Sequence, residues 1–237
     1  MTRQPIVSIV LPTYNGSQYI CESIQSCIQQ TYKNWELIII DDASTDNTPS
    51  IVSEFSTRDR RIRVIQNEVN QKLPSALNKG FKHAKGKYLT WTSDDNIYRP
   101  NALNTMVKYL ENHPNIDFVY AGFSLIDSNG NLIKEVVAGP PELLGIKDVV
   151  GGCFLYRREI HDALGGYDEN LFLAEDLDFY IRAMASFNIQ PLPHNLYKYR
   201  THRSSLTSGK NYQIYKVWEK TIRKNKSKMY WIDKDKF

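Results

Sequence analysis

Apolar residues recur along the chain with two alternating periods. Residues 6–11 are almost all apolar and mostly β-branched, and Pro12 closes the run. A short run of that kind reads as a strand buried on both faces. Ile20, Ile24, Cys27 and Ile28 then fall on one helical face. A second buried strand is expected at 35–40, a helix at 50–55 and a third strand at 62–65. Pro74 sits at a helix start whose inward positions are Ala76, Leu77, Gly80, Phe81 and Ala84, and Gly86 closes it. A fourth strand covers 88–91. Pro100 opens a further helix with Leu103, Met106, Val107 and Leu110 inward.

Strands alternating with helices predict right-handed crossovers and a largely parallel sheet with helices on both faces. The pattern changes after Pro114. Runs 117–125 and 131–137 flank Ser128, Asn129 and Gly130, a hairpin signal. Residues 149–156 read as another strand and 176–187 as a helix. The run 189–200 is interrupted by Pro191 and Pro193, so it is expected to be extended and at a sheet edge. From about Asn211 a basic helix carries Tyr212, Tyr215 and Trp218, followed by Tyr230 and Trp231. The expected fold class is therefore α/β, with a smaller antiparallel region in the second half. No internal repeat or low-complexity linker divides it.

Composition adds limits. The 237 residues are 41% hydrophobic and 24% charged, which is ordinary globular usage. The net charge of +4 suits an anionic small molecule or an anionic membrane surface, not nucleic acid, which usually leaves a denser basic patch. Cys21, Cys27 and Cys153 are odd in number and lack metal-type spacing, so neither a disulfide framework nor a zinc site is expected. Residues 1–5 have no signal-peptide character, and no apolar run approaches the roughly 20 residues that cross a bilayer. A cytoplasmic protein is expected, resting at most on the inner face of the membrane through its C-terminal tail.

In an open parallel sheet, ligands bind beyond the carboxyl ends of the strands. Pro12, Thr13, Tyr14 and Asn15 follow the first strand. Asp41 and Asp42 follow the second, and Asp94, Asp95 and Asn96 the fourth. All should meet on one edge. Neither G-x-G-x-x-G nor G-x-x-x-x-G-K-[ST] is present, so neither usual phosphate cradle is available. An acidic crevice repels phosphate unless a cation stands between, and Mg²⁺ or Mn²⁺ is typically held by one or two carboxylates plus phosphate oxygens. Asp94 and Asp95 are placed for that, although the pair also suits a helix cap. Asp41 suits hydrogen bonds from a base or ribose. Glu175, Asp176 and Asp178 either stabilise a helix N-terminus or supply a general base. Arg200 to Ser205 is either a solvated run or a loop over a diphosphate, with Arg200 and His202 on phosphate or metal.

These motifs resemble the family 2 inverting glycosyltransferases of the GT-A fold, spore-coat type. The segments are Val7 to Asn15, Glu36 to Asp46, Ala76 to Asn96 and onward to Pro100, Gly165 to Asp168, and Glu175 to Asp178. The resemblance covers about residues 6–205. It implies a nucleotide-binding half at 1–112, an acceptor-binding half at 113–205 and a helical tail at 206–237. It implies that Thr13, Tyr14 and Asp41 bind the nucleoside, usually uridine, with Lys72 reaching the nucleotide. Asp94 would contact ribose or diphosphate, Asp95 would hold Mn²⁺ or Mg²⁺, and Asp176 would be the base beside Glu175. The implied activity moves a sugar from a nucleotide-sugar, a UDP-sugar foremost, to the hydroxyl of a sugar or lipid-linked acceptor, in surface polysaccharide or glycoconjugate synthesis. Two departures stand out. Thr92 occupies the place where the usual acidic motif begins with Asp, and the Q-x-x-R-W motif of processive synthases is absent, which points to single-sugar transfer.

Two other readings remain at this point. One is a sugar nucleotidyltransferase, which usually carries a glycine-rich basic loop after the first strand, where this chain has Thr13-Tyr14-Asn15-Gly16. The other is a non-catalytic nucleotide-sugar-binding module, for which Thr92 leaves room.

Overall fold

A computed structural model describes residues 6–147, 149–206 and 208–229. Tyr230 and Trp231, and the first five residues, lie outside the described residues. Among the described residues, nine strands form one sheet in the order β3-β2-β1-β4-β8-β6-β9-β5, with β7 paired to β6 off that path. The strands are β1 (Val7–Thr13), β2 (Trp35–Asp41), β3 (Ile62–Gln66), β4 (Tyr88–Trp91), β5 (Ile97–Tyr98), β6 (Phe118–Ile126), β7 (Leu132–Val136), β8 (Phe154–Arg157) and β9 (Ile189–Arg200). The helices are α1 (Ile20–Ile28), α2 (Thr48–Arg58), α3 (Leu73–His83), α4 (Ala102–Asn112), α5 (Arg158–Leu164), α6 (Glu175–Met184) and α7 (Asn211–Asn225).

The first four strands of the alternating region pair in parallel, β3 to β2 to β1 to β4. β8 turns the sheet antiparallel, and β6 lies antiparallel to both β7 and β8. Successive β1 residues point to opposite faces, and this alternation builds two cores. Val7, Ile9 and Leu11 pack with α1 and α4, through Ile20, Ile24, Leu103 and Met106. Val10, Ile38 and Ile40 pack with α3, α5 and α6, through Leu77, Phe81, Ile160 and Leu177. The sheet is therefore covered on both sides, as the buried apolar runs require. Gly80 is needed where α3 crosses β1, because a Cβ there would overlap Val10.

Two expectations need correction. β9 is not an edge strand along its length. It runs parallel to β6 from Phe118↔Ile189 to Ile126↔Arg200, and β5 covers its other side at Tyr197 and Lys198. Pro191 and Pro193 are tolerated because they precede the stretch that β5 covers. The strand expected from Val149 starts only at Phe154, because Gly151, at φ +60°, and Gly152 break the run. β5 and α5 had no sequence expectation, being only two and seven residues long.

Candidate active site

The carboxyl ends of β1, β2 and β4 come together as the topology demands. The Asp42 N–H donates to the Thr13 carbonyl at 2.9 Å, and the Thr13 hydroxyl donates to Asp94 Oδ2 at 2.5 Å. Asn15, at φ +57°, ties two loops together. Its N–H donates to Ser44 Oγ at 2.9 Å, and its Oδ1 accepts from the Thr45 N–H at 2.8 Å. Gly16 is required here, since a Cβ would overlap Asp94 Oδ2 and crowd the Thr13 hydroxyl.

Asp41 is buried. Its Oδ1 accepts from the Ser44 N–H at 3.0 Å, while its Oδ2 is buried with no hydrogen-bond partner. Asp42 acts on the chain itself. It accepts from Asn67 Nδ2 at 2.7 Å and from the Gln71 and Lys72 N–H groups at 2.9 Å. Those bonds hold Lys72 at φ +73° at the start of α3, on the cleft wall. Tyr14, half exposed, lines the same cleft with Pro12, Thr13 and Asn15.

Asp95 carries the clearest signal. Its Oδ2 lies 3.1 Å from His202 Nε2, and its Oδ1 is buried without a partner. The His202 ring sits 4.7 Å from the Tyr19 ring, and its Nδ1 is 2.8 Å from Ser204 Oγ. Burial, then the neighbouring Asp95 charge, push Asp94 up to about 7. Burial also raises Asp95, against the opposing pull of His202. His202 and Arg200 offset only part of the charge of these two crowded carboxylates, and a divalent cation on the left-over oxygen fits the remainder. No group of three or more metal-ligating side chains is found among the described residues. The chain would thus supply few ligands and leave the rest to phosphate oxygens and water, as Mg²⁺-type sites typically do.

Thr92 does not face that site. It is buried, with its Oγ1 2.6 Å from the Tyr197 hydroxyl. Arg200 is likewise directed inward. Its side chain is 2% exposed and donates to Glu22 Oε2 at 2.7 Å, to the Asp95 carbonyl at 3.0 Å and to the Ser128 carbonyl at 3.1 Å. Sequence reasoning left Arg200 either in a solvated run or on phosphate or metal. The structure gives it the task of clamping the loop that carries His202 onto the loop that carries Asp95.

Glu175 and Asp176 open α6 and line the same cleft. Glu175 is buried, and its Oε2 accepts from the Leu173 N–H at 2.8 Å. Leu173 sits at φ +80°, a strained position for a branched side chain. Burial, then the Asp176 charge, push Glu175 up to about 8. Burial and the adjacent Asp176 charge therefore both favour the protonated form of Glu175. Asp176 Oδ1 accepts from the Leu177 N–H at 2.7 Å. Asp178 faces away and serves packing. It binds Arg182 at 2.6 Å, Lys224 at 2.9 Å and Asn225 at 2.8 Å, which fixes α7 against α6.

The resulting cleft has a volume of about 1050 Å³, the scale of a nucleotide-sugar with room beside it. Sequence reasoning missed part of its wall. Phe123 and Leu125 of β6, Lys134 of β7, and Ile214 and Trp218 of α7 also line it. The first three come from an alternating strand pattern that marks two faces without saying which one a ligand meets. Trp218 was visible only as one aromatic in a tail.

A curled mixed sheet between helix layers, with acids gathered at the carboxyl ends of β1, β2 and β4, defines the GT-A class of nucleotide-dependent transferases. The sequence profile described as "Glycosyl transferase family 2" matches residues 8–165, and the chain belongs to that family. An uncharacterized glycosyltransferase of Methanocaldococcus jannaschii, MJ1057, is 32% identical over 94% of this chain and 81% of its own length. A Bacillus subtilis protein assigned to teichuronic acid biosynthesis, TuaG, is 26% identical over 91% of this chain and 86% of its own. Among solved structures, S. aureus TarS 1-349 in complex with UDP-GlcNAc superimposes with a TM-score of 0.74 at 22% identity, over 94% of this chain. The mannosyltransferase PcManGT from Pyrobaculum calidifontis, in complex with GDP-Man and Mn²⁺, gives 0.68 at 21% over 86%. This chain covers 66% and 59% of those two longer chains, and the likeness to them is one of fold.

Proposed function

We propose that this glycosyltransferase moves a single sugar from a nucleoside-diphosphate sugar, a UDP-sugar foremost, to an acceptor hydroxyl with inversion. The observation that carries the reading is the unpartnered, buried Asp95 Oδ1 beside Asp94 and His202, in the same cleft as Asp176. A Mn²⁺ or Mg²⁺ ion there would be held by Asp95, with Asp94 and His202 beside it, and would offset charge on the departing diphosphate. Tyr14, Thr13 and Asp41 serve the nucleoside end, and Lys72 the nucleotide's charge. Residues 1–112, joined by His202, thus bind the donor, and the rest of 113–205 serves the acceptor. Asp176 takes the proton of the acceptor hydroxyl, beside Glu175, whose burial favours its neutral form. Attack from the side opposite the nucleotide inverts the anomeric centre, and much of the rate comes from holding the reactants in line.

Several facts support this reading. TarS binds UDP-GlcNAc and PcManGT binds GDP-Man with Mn²⁺ on the same fold. TuaG is assigned to teichuronic acid biosynthesis, in keeping with a role in surface polysaccharide or glycoconjugate synthesis and a sugar or lipid-linked acceptor. The three cysteines are all unpaired, in keeping with a cytoplasmic location. The deciding experiment is a panel of nucleotide-sugars, assayed for hydrolysis and for thermal stabilisation with Mn²⁺ or with EDTA. Stabilisation by one nucleotide-sugar that EDTA abolishes supports the reading. Indifference of every donor to the metal overturns it.

A further inference from the structure

The basic excess of the chain is concentrated on one element. Residues 211–228 hold six Lys or Arg against one Glu. Of the chain's 30 basic and 26 acidic residues, that leaves 24 against 25 everywhere else. The +4 net charge is therefore a property of α7 and the short turn after it, while the remainder is close to neutral.

That charge has a direction. Ile214, Val217, Trp218, Thr221 and Asn225 fall on one side of α7 and face the body. Tyr212, Tyr215, Lys216, Lys220 and Arg223 fall on the other side, at helical spacings of three and four, with Glu219 among them paired to Arg223, so that Lys216 and Lys220 carry that side's unpaired charge. Tyr212 and Tyr215 are 69% and 67% exposed, among the most exposed large side chains described. The Lys216 ammonium lies 4.5 Å from the Tyr212 ring centroid, so aromatic and cationic groups form one patch. The helix cannot easily roll to hide them. Lys224 binds Asp168 at 2.7 Å and Asp178 at 2.9 Å, and Asn225 binds Asp178, which fixes which face looks outward. Lysines attract an anionic surface, and tyrosines prefer the boundary between water and hydrocarbon. A free polyanion would need the charges but not the rings.

The same helix is a wall of the cleft. Lys210, Ile214 and Trp218 line it, and Leu206 both lines it and stands 39% exposed. We propose that the outer face of α7 docks this protein on an anionic lipid bilayer, bringing the Trp218 end of the cleft to the lipid surface. The second half of that statement rests on the transferase reading, since it gives a lipid-linked acceptor a short route to Asp176. The docking itself does not.

The test uses the whole chain and two kinds of vesicle, phosphatidylcholine alone and phosphatidylcholine with one third phosphatidylglycerol. Co-sedimentation is expected to be at least about tenfold stronger with the anionic vesicles and to fall steeply with added salt. The double variant K216E/K220E should lose about tenfold or more in binding, and Y212S/Y215S should lose several-fold. Unchanged melting temperature, and unchanged UDP binding with Mn²⁺, confirm in each case that the fold is intact. UDP binding reports on the transferase reading separately, so either idea can fail alone. Equal binding to both vesicle types, or wild-type binding by the charge-reversed variant, overturns the proposal. So does tight binding to soluble polyphosphate that Y212S/Y215S leaves unchanged, because that would identify a free anionic polymer as the partner.

Discussion

His202 Nε2 lies 3.1 Å from Asp95 Oδ2, bridging 107 residues of chain, and the other Asp95 oxygen is buried and unpartnered. The imidazole orients the carboxylate, and the free oxygen is what a cation would meet. D95N should abolish Mn²⁺-dependent nucleotide binding, and H202A should weaken it by about 10–100-fold, the usual cost of losing a partner beside a metal site. Calorimetric titration of UDP with and without Mn²⁺ measures both. Equal affinity for UDP in D95N and the unmodified chain would remove Asp95 from the site.

D176N separates chemistry from binding. Its turnover should fall by about 10²–10⁴-fold, the range of a lost general base, while UDP affinity stays within about twofold. Initial-rate kinetics beside nucleotide titration checks this. Near-native turnover would require another base.

Glu175 predicts a pH dependence with a definite sign. Its pKa in the folded state rises from an ordinary 4.5 to about 8. The folded state therefore holds a proton that the unfolded chain releases. The stability this contributes is complete below the ordinary carboxylate range and is lost as pH rises toward about 8. E175Q removes the ionisable group. Melting curves should show the unmodified chain losing ground to E175Q between about pH 5 and pH 8, and no further change above.

Gly16 tests the contact between the loops. In G16A the added methyl would overlap Asp94 Oδ2 and press on the Thr13 hydroxyl. Asp94 must swing out of its bond to Thr13, so donor affinity should drop at least about tenfold. The stability cost should stay near 1–3 kcal/mol, typical of an overpacked position. Thermal melts and UDP titration distinguish the two effects.

Thr92 is the place where the sequence departs from the family pattern, and its hydroxyl is engaged by Tyr197 rather than by the proposed cation site. T92V should cost about 1–3 kcal/mol by stranding the Tyr197 hydroxyl. T92D should destabilise more, by burying a carboxylate, and leave Mn²⁺ affinity no better. A gain in Mn²⁺ affinity for T92D would show that the side chain does reach the cation.

Much of this was readable in the chain. β1, β2 and β4 announced themselves as apolar runs, and each is followed by the polar residues that now line or brace one cleft. Helical periods located α1, α3 and α4 because each buries one stripe. What escaped depended on contacts distant in sequence. β5 is a strand only because Tyr197 and Lys198 lie beside it. The inward turn of Arg200 follows from Glu22, 178 residues away. Asp42 had the sequence context of a ligand-binding acid, yet it spends its oxygens on the backbone that positions Lys72. Local pattern marks which residues are polar and where they cluster, but not which of them the protein uses on itself.

The pairing of β4 with β8, and of β5 with β9, has a practical result for anyone wishing to dissect this enzyme. Cutting after residue 112 would uncover β4 at Tyr88 and Leu89 and orphan β5, leaving raw sheet edges of the kind that aggregate. The two halves share one sheet, so the scaffold must be kept whole in any dissection.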